Sequence, residues 1–492
     1  MTGVGVSDPR DQPEGGAVSP RSDIRGSDVL GSAGRGSKVP GTGSGRSTSR
    51  SAVSLSGTLL LLLCFAAALG RLIILVRDFG VELLYRDQIV FYDVYFNDLS
   101  LAKIFVWQHG QHRLGLGGVV QKFILEATRW SNVAVSYAIV AMLVLALVSA
   151  LWFKLRVRKR LEPVDAVLPL LFLTSNQYET IIGAPSLAPA AFPLLLTFLY
   201  PLAWSAKGKA VRYGATAILL PLTIFTGYGY VVGLAVAAVL VVISLRAIWQ
   251  RDQTDLIGSS ACLLIAALSY TAFFYHLHWA VGGSCFTFPH WPLRDYLYVF
   301  VLMPVKFIGL SYLRIPTVAL AAGLILFGVI VCLSALNLIR YWRSGSTVNL
   351  ALVYLILFPL GFDALATIGR ICIGLHASGS PRYMTFMIPL FTAIFFHFAF
   401  AANRRSTVLA ALVGVAALGG FMPPRLSQRD SLVNLAQFQR DWRQCYLDTE
   451  NVDGCSRKLG PVFGGDPQSA RLDEKLHWLK ARGLNLYIDR AQ

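Results

Sequence analysis

The chain has 492 residues, 55% of them hydrophobic and only 14% charged, with a mean hydropathy of +0.56. A water-soluble domain carries about 25% charged residues, so an ordinary soluble protein is excluded. Repeated apolar runs cut by short basic loops identify a multi-pass, all-α membrane protein. The net charge of +17 does not mark a nucleic-acid binder, because Arg and Lys cluster beside the apolar runs, where they set orientation.

Residues 1–52 open the chain, rich in Gly and Ser and without an aromatic residue. Such a segment cannot bury enough apolar surface to offset chain entropy, which predicts a disordered cytoplasmic tail. It is not read as a signal peptide, since the first apolar run starts near Val53 and is too long for an h-region.

Residues 53–423 are expected to form a membrane domain of about eleven transmembrane helices. The first two runs are 53–76 and 133–153, and the five basic residues of "KLRVRKR" after the second mark the cytoplasmic side. The N-terminus is then cytoplasmic, and 78–132 form a large extracytoplasmic first loop. Two hairpins follow, 166–173 with 187–202 and 215–225 with 231–245. Their helices are short for a hydrocarbon core of ~30 Å. Their outward turns, "TSNQYETIIGAPS" and "TGYGY", are therefore expected to dip into the membrane against a protein cavity. Spans at 257–275, 318–339, 350–366, 385–400 and 407–421 complete the set, 296–310 is read as re-entrant or interfacial, and 424–492 form a small extracytoplasmic cap.

The outward loops hold the polar residues that packing explains least. Asp87 follows Arg86 above the end of the first span. Ile89, Tyr92, Phe96 and Leu99 then recur at helical spacing, predicting an interfacial amphipathic helix with Asp93 and Asp98 on its solvated face. In "QHGQHRL", His109 and His112 would share a face of a helix, although Gly110 opposes one. A metal pair and an anion-binding or anchoring loop both fit, and two ligands alone do not make a metal site. Glu179 sits at the turn of a short hairpin, where a lone carboxylate is costly unless paired or functional. Arg370 and Arg382 bracket a loop on the side where positive charge is normally depleted. An anionic ligand accounts for them, as does snorkelling, and Asp363 could neutralise Arg370.

Cys445 and Cys455, ten positions apart beyond the apolar region, could close a disulfide in an oxidising compartment. Cys64, Cys262, Cys285, Cys332 and Cys372 lie in or beside spans without metal spacing and are read as packing residues. In the tail, Asp466 and Pro467 read as a helix start, Leu472, Leu476 and Leu479 as an apolar stripe, and Gly483 as the stop. A transporter would place its polar groups near the midplane between repeated halves. Here no repeat is found, and the candidates share one face, which suits an enzyme acting on a lipid-linked substrate.

Four elements in order resemble a bacterial branch of the GT-C-type integral-membrane glycosyltransferases. They are "YRDQ" with Asp87 at the acidic position, "HGQHR" (His109–Arg113), "QYET" with Glu179, and "GRICIGLHASGSPRYMTF" with Arg370, Arg382 and Tyr383. The paired-cysteine tail is similar as well. The second acid beside Asp87 is replaced by Gln88, and "HGQHR" has Gly110 and Gln111 in the middle, so a divalent metal held by Asp87 and Glu179 stays an open question.

The resemblance implies a GT-C-like bundle in the bacterial inner membrane that moves a sugar from a polyprenyl-phosphate donor, with inversion, to a cell-envelope glycan, lipid or protein. Asp87 would be the catalytic base. Arg382 and Arg370 would bind the lipid phosphate, with Arg113 or a histidine assisting. Glu179, His109, His112 and Tyr383 would complete the substrate site. The alternatives are a lipid-linked-glycan flippase or a surface-polysaccharide polymerase or ligase.

Overall fold

The computed structural model describes residues 47–183, 186–278, 288–310, 316–375, 379–401, 403–421, 426–463 and 471–490. In chain order, α1 (Ser47–Phe79) leads into a first loop holding α2 (Gln88–Phe91), α3 (Asp93–Phe96), α4 (Leu101–Val106), the two-residue strands β1 (Gln108–His109) and β2 (His112–Arg113), and α5 (Gly115–Ala127). The bundle continues with α6 (Asn132–Arg158), α7 (Val167–Phe172), α8 (Phe192–Trp204), α9 (Lys209–Ile224), α10 (Gly229–Gln250) and α11 (Gln253–Phe274). After α12 (Arg294–Phe307) come α13 (Pro316–Ser344), α14 (Thr347–Arg370), α15 (Ile388–Ala399) and α16 (Arg404–Phe421). The C-terminal segment adds α17 (Leu426–Thr449), α18 (Val452–Leu459) and α19 (Leu472–Arg482).

The protein is an all-α, multi-pass membrane protein: among the described residues, eight helices are long and apolar enough to cross a bilayer. Three of the eleven expected crossings, α7, α9 and α16, are not among them. At 1.5 Å per residue the 16 residues of α9 reach about 24 Å, short of a core of ~30 Å.

One end of the bundle is tied together by the basic loops. Lys154 and Asp165, both fully buried, form an ion pair there, with Glu162 3.4 Å from the same amine. Arg156 donates to the carbonyl of Leu202 at 3.1 Å, Arg158 to that of Phe400 at 3.5 Å, and Arg246 to that of Trp342 at 3.2 Å. These contacts satisfy helix C-terminal carbonyls that would otherwise have no partner. Lys209 completes the cluster between Asp252 and Asp255, at 2.6 and 3.1 Å.

At the other end the C-terminal segment docks on the first loop. The Arg86 amide donates to Val462 O at 3.0 Å, and the Asn485 amide donates to Arg129 O at 3.0 Å. Leu472, Leu476 and Leu479 are all buried in this contact, and Gly483, at φ +60°, ends α19. Cys445 and Cys455 are disulfide-bonded, joining α17 to α18.

Four expectations are corrected. The stretch after Asp87 is two single helical turns, interrupted at Tyr92, and Ile89 and Tyr92 are fully buried rather than spread along an interfacial helix. Asp93 does not face solvent freely: the Lys475 amine of α19 pairs with it at 2.7 Å and donates to Ile89 O at 2.7 Å. Asp98 does project outward, 88% exposed, with Lys122 at 2.9 Å. α19 starts at Leu472 after Arg471 in the left-handed region, and Asp466 and Pro467 lie outside the described residues, as does Cys285. Cys372 is disulfide-bonded and Cys332 is exposed, so neither packs as a core thiol.

Lys475→Ala should leave the Asp93 carboxylate and the Ile89 carbonyl uncompensated. A loss of about 1–3 kcal/mol is expected, measured as a lower unfolding temperature and faster proteolysis of residues 426–490 in detergent.

Candidate functional site

Asp87 is placed by a scaffold of buried amides. Glu82 accepts from the Ser131 hydroxyl and, at 2.7 Å, from the Asn132 amide, a carboxylate at the positive N-terminus of α6. Arg86, at φ +52°, then turns the chain sharply. Gln88, buried, accepts from the Tyr85 amide at 3.1 Å and donates to the Tyr92 hydroxyl at 3.2 Å. An acid at this position would bury an unpaired charge, which explains the glutamine. Asp87 itself remains 63% exposed, 3.2 Å from Arg382 Nη1.

Arg382 is carried by a helical turn, Pro381–Met387, that leads into α15. That turn is stapled to a π-helical turn, Glu179–Gly183, of the kind that recurs at functional sites. The Thr180 hydroxyl donates to Arg382 O at 3.0 Å, and Thr385 donates to Gln177 Oε1 at 2.9 Å. Glu179 is the junction: it accepts from the Ser380 hydroxyl and from the Arg382 amide at 3.4 Å, and faces Arg86 Nη1 at 3.5 Å. The half-buried Lys306 amine lies in the field of the same carboxylate and makes no ion pair or hydrogen bond among the described residues. Asn176 fixes its helix by donating to the carbonyls of Lys306 and Phe307 at 3.0 and 2.9 Å.

The two histidines sit on a hairpin rather than a helix. Gly110 at φ +57° makes the turn, and His109 pairs with His112 across it, ring centroids 5.6 Å apart. His109 packs edge-on against Phe91 at 5.2 Å, and His112 lies 5.0 Å from Tyr228. Burial pulls the His112 imidazole down to about 3. Burial also lowers that of His109, opposed by Asp87 and Asp93. Both rings are therefore neutral near pH 7 rather than cationic. Tyr228, which burial keeps protonated, lies in the field of Tyr383, Arg370 and Arg382 and joins the histidines to the arginines.

Arg113 belongs to the scaffold. Its guanidinium donates to the carbonyls of Phe273 at 2.9 Å, Tyr275 at 2.7 Å and Val106, while its own carbonyl accepts from Gly227 at 2.8 Å. Gly227 must be glycine, because at φ +55° an added Cβ would lie 2.5 Å from Pro189 Cα. Arg370, at the end of α14, is half-buried and makes no ion pair or hydrogen bond among the described residues. Asp363 does not neutralise it: that carboxyl is fully buried and accepts from Thr367 at 3.4 Å.

Asp87, Glu179, Arg382, Tyr383, His109, His112 and Arg370 are thus linked, directly or through one neighbour, into one cluster, with Arg86, Lys306, Ser380 and Tyr228 as members that the sequence did not single out for it. Lys306 carried a signal, being a lone lysine in the apolar run "VLMPVKFIGL". Asp87 and Glu179 each face a guanidinium, so a divalent ion drawn to Asp87 would compete with Arg382. Among the described residues no three His, Cys, Asp or Glu side chains meet as a metal-ligand group.

Arg113→Lys replaces a three-point fork by one ammonium. Stability should fall by about 3–6 kcal/mol, since two of the three hydrogen bonds are lost and those from charged groups contribute ~1.5–3 each. Arg382→Lys, at a partly exposed position, should leave the unfolding temperature near wild type. Thermal unfolding in detergent compares the two.

The chain matches no family model, no curated protein and no solved structure.

Proposed function

We propose that the protein is a GT-C-type glycosyltransferase of about eleven transmembrane helices in the bacterial inner membrane. In this reading the N-terminus is cytoplasmic, and the first loop and C-terminal cap are extracytoplasmic. The enzyme transfers a sugar from a polyprenyl-phosphate donor, with inversion, to a cell-envelope glycan, lipid or protein. The observation that carries the reading is an exposed carboxylate, Asp87, paired with an arginine beside two cations that have no described partner, Lys306 and Arg370. Arg86, Lys306, Arg370 and Arg382 exceed Asp87 and Glu179 in charge, which suits this cluster to an anion.

The chemistry follows from that imbalance. Without substrate, Arg382 rests on Asp87. A lipid phosphate draws the guanidinium to its oxygens, aided by Arg370 and Lys306. Asp87 is then free to accept the proton of the acceptor hydroxyl as that oxygen attacks the anomeric carbon. The bond from the anomeric carbon to the phosphate oxygen breaks, and the lipid phosphate leaves with the electron pair, its charge held by fixed cations. Glu179, held by Arg86 and Ser380, keeps Arg382 in position, and the neutral histidines and Tyr228 offer hydrogen bonds to sugar hydroxyls.

A flippase for a lipid-linked glycan is the second reading, and Asp363 favours it. A fully buried carboxyl inside a span, with no cationic partner among the described residues, is the kind of group that proton-coupled transporters use. A flippase would need no base at Asp87.

Asp87→Asn should lower sugar transfer in membranes by about 10²–10⁴, the usual worth of a general base, with donor binding near normal. Full transfer by that variant would exclude Asp87 as the base, and normal flipping without transfer would select the second reading. Arg382→Lys keeps the charge but loses the fork; its defect should appear in donor KM or leaving-group departure, checked by titrating the polyprenyl-phosphate sugar.

A further inference from the structure

A groove of about 390 Å³ lies between the first loop and α19 and shares no lining residue with the cluster around Arg382. Its lining comes from the end of α3 (Phe96, Asn97 and Asp98), from α5 and the turn after it (Lys122, Glu126, Trp130), and from Trp478 and Arg482 of α19. This volume falls in the ordinary range of ligand pockets, about 300–1,000 Å³.

Three aromatic rings meet there. Phe96 and Trp130 are 4.8 Å apart by centroid, Trp130 and Trp478 4.9 Å, and Phe96 and Trp478 5.1 Å. Trp130 is buried, whereas Phe96 and Trp478 remain half-exposed in the groove. Arg482 stacks 4.1 Å over Trp478, and the Lys475 amine lies 5.9 Å from the Phe96 ring, so both aromatics are braced. The turn carrying Trp130 is fixed in turn by the cap: Asn485 donates to Trp130 O at 2.7 Å and Arg129 donates to Gly483 O at 2.8 Å.

The polar lining is balanced in charge. Lys122 bridges Asp98 at 2.9 Å and Glu126 at 2.8 Å, and Arg482 is the second cation. An anionic ligand would call for an excess of cations, which the cluster around Arg382 has and this groove lacks. A peptide that binds by strand addition would call for a free strand edge, and helices offer none. A neutral sugar chain fits both features. Its C–H faces pack on the negative faces of aromatic rings, and its hydroxyls pair with carboxylates, amides and ammonium groups that donate or accept.

We infer that this groove binds a neutral glycan chain, the preformed part of an acceptor whose end is extended at Asp87. The inference rests on the glycosyltransferase reading and narrows its acceptor to a glycan. The groove and Asp87 belong to the same loop: Tyr95 of the groove lining lies on α3, and Asp87 immediately precedes α2.

The test uses full-length protein in detergent, an array of neutral linear oligosaccharides as probes, and polyphosphate and an acidic peptide as controls, with tryptophan fluorescence to titrate the hits. At least one neutral oligosaccharide should bind. Trp478→Ala should weaken that binding about tenfold, the worth of one stacked aromatic contact, and Trp478→Phe should retain it within about threefold. Because Trp478 also packs the cap onto Phe96 and Trp130 of the first loop, Asp98→Asn combined with Glu126→Gln serves as a second variant at exposed positions. It should weaken binding with an unchanged unfolding temperature. No oligosaccharide binding, preferential binding of a control anion, or wild-type binding by both variants would overturn the inference. Binding that persists in Asp87→Asn while no sugar transfer is found in the wild type would defeat the enzymatic reading alone. Transfer without any oligosaccharide binding would defeat the groove alone.

Discussion

The arrangement depends on the compensation of one carboxylate. Glu179 sits on irregular backbone at the edge of an apolar bundle, where a bare charge is costly. Its compensation comes from three separate stretches: Arg86 before α2, Ser380 and the Arg382 amide before α15, and Lys306 at the end of α12. Satisfying Glu179 therefore draws the first loop, the π-helical turn and the loop before α15 to one point. The position of Arg382 over Asp87 follows from that convergence.

The two ends of the bundle treat charge in opposite ways. At the basic end, charges are matched and closed, as in the fully buried Lys154–Asp165 pair with Glu162 beside it. Such a pair contributes little net stability beyond its desolvation cost but fixes which helix ends meet. At the site end, cations outnumber carboxylates and Asp87 is open to solvent. An unmatched surplus is unfavourable to folding and is tolerated where a ligand completes it.

Much of this was legible in the residues. The apolar runs gave the membrane class, and Asp87, Glu179, Arg370 and Arg382 stood out because charge is rare in such a chain and each needs a reason. The hairpin at His109 and His112 was obscured because a spacing of three suits a helix face, whereas Gly110 in the left-handed region makes them cross-strand neighbours. Arg113 read as a ligand-binding cation because nothing local reveals that its partners are carbonyls about 160 positions away. The stretch Ile89 to Leu99 has true helical spacing, but docking of the C-terminal segment overrides it: Lys475 claims Asp93 and the Ile89 carbonyl across 386 positions. Long-range polar contacts of this kind leave no periodic trace.

That last contact bears on biogenesis. Ile89 and Lys475 are separated by most of the chain, and the Arg86 amide next to Asp87 is held by Val462. During synthesis the first loop emerges well before Val462 and Lys475 and remains without these partners until they have been made. A loop whose final geometry requires contacts with such distant residues cannot settle on a polypeptide that stops short of them, so Asp87 takes its place only after Val462 and Lys475 exist.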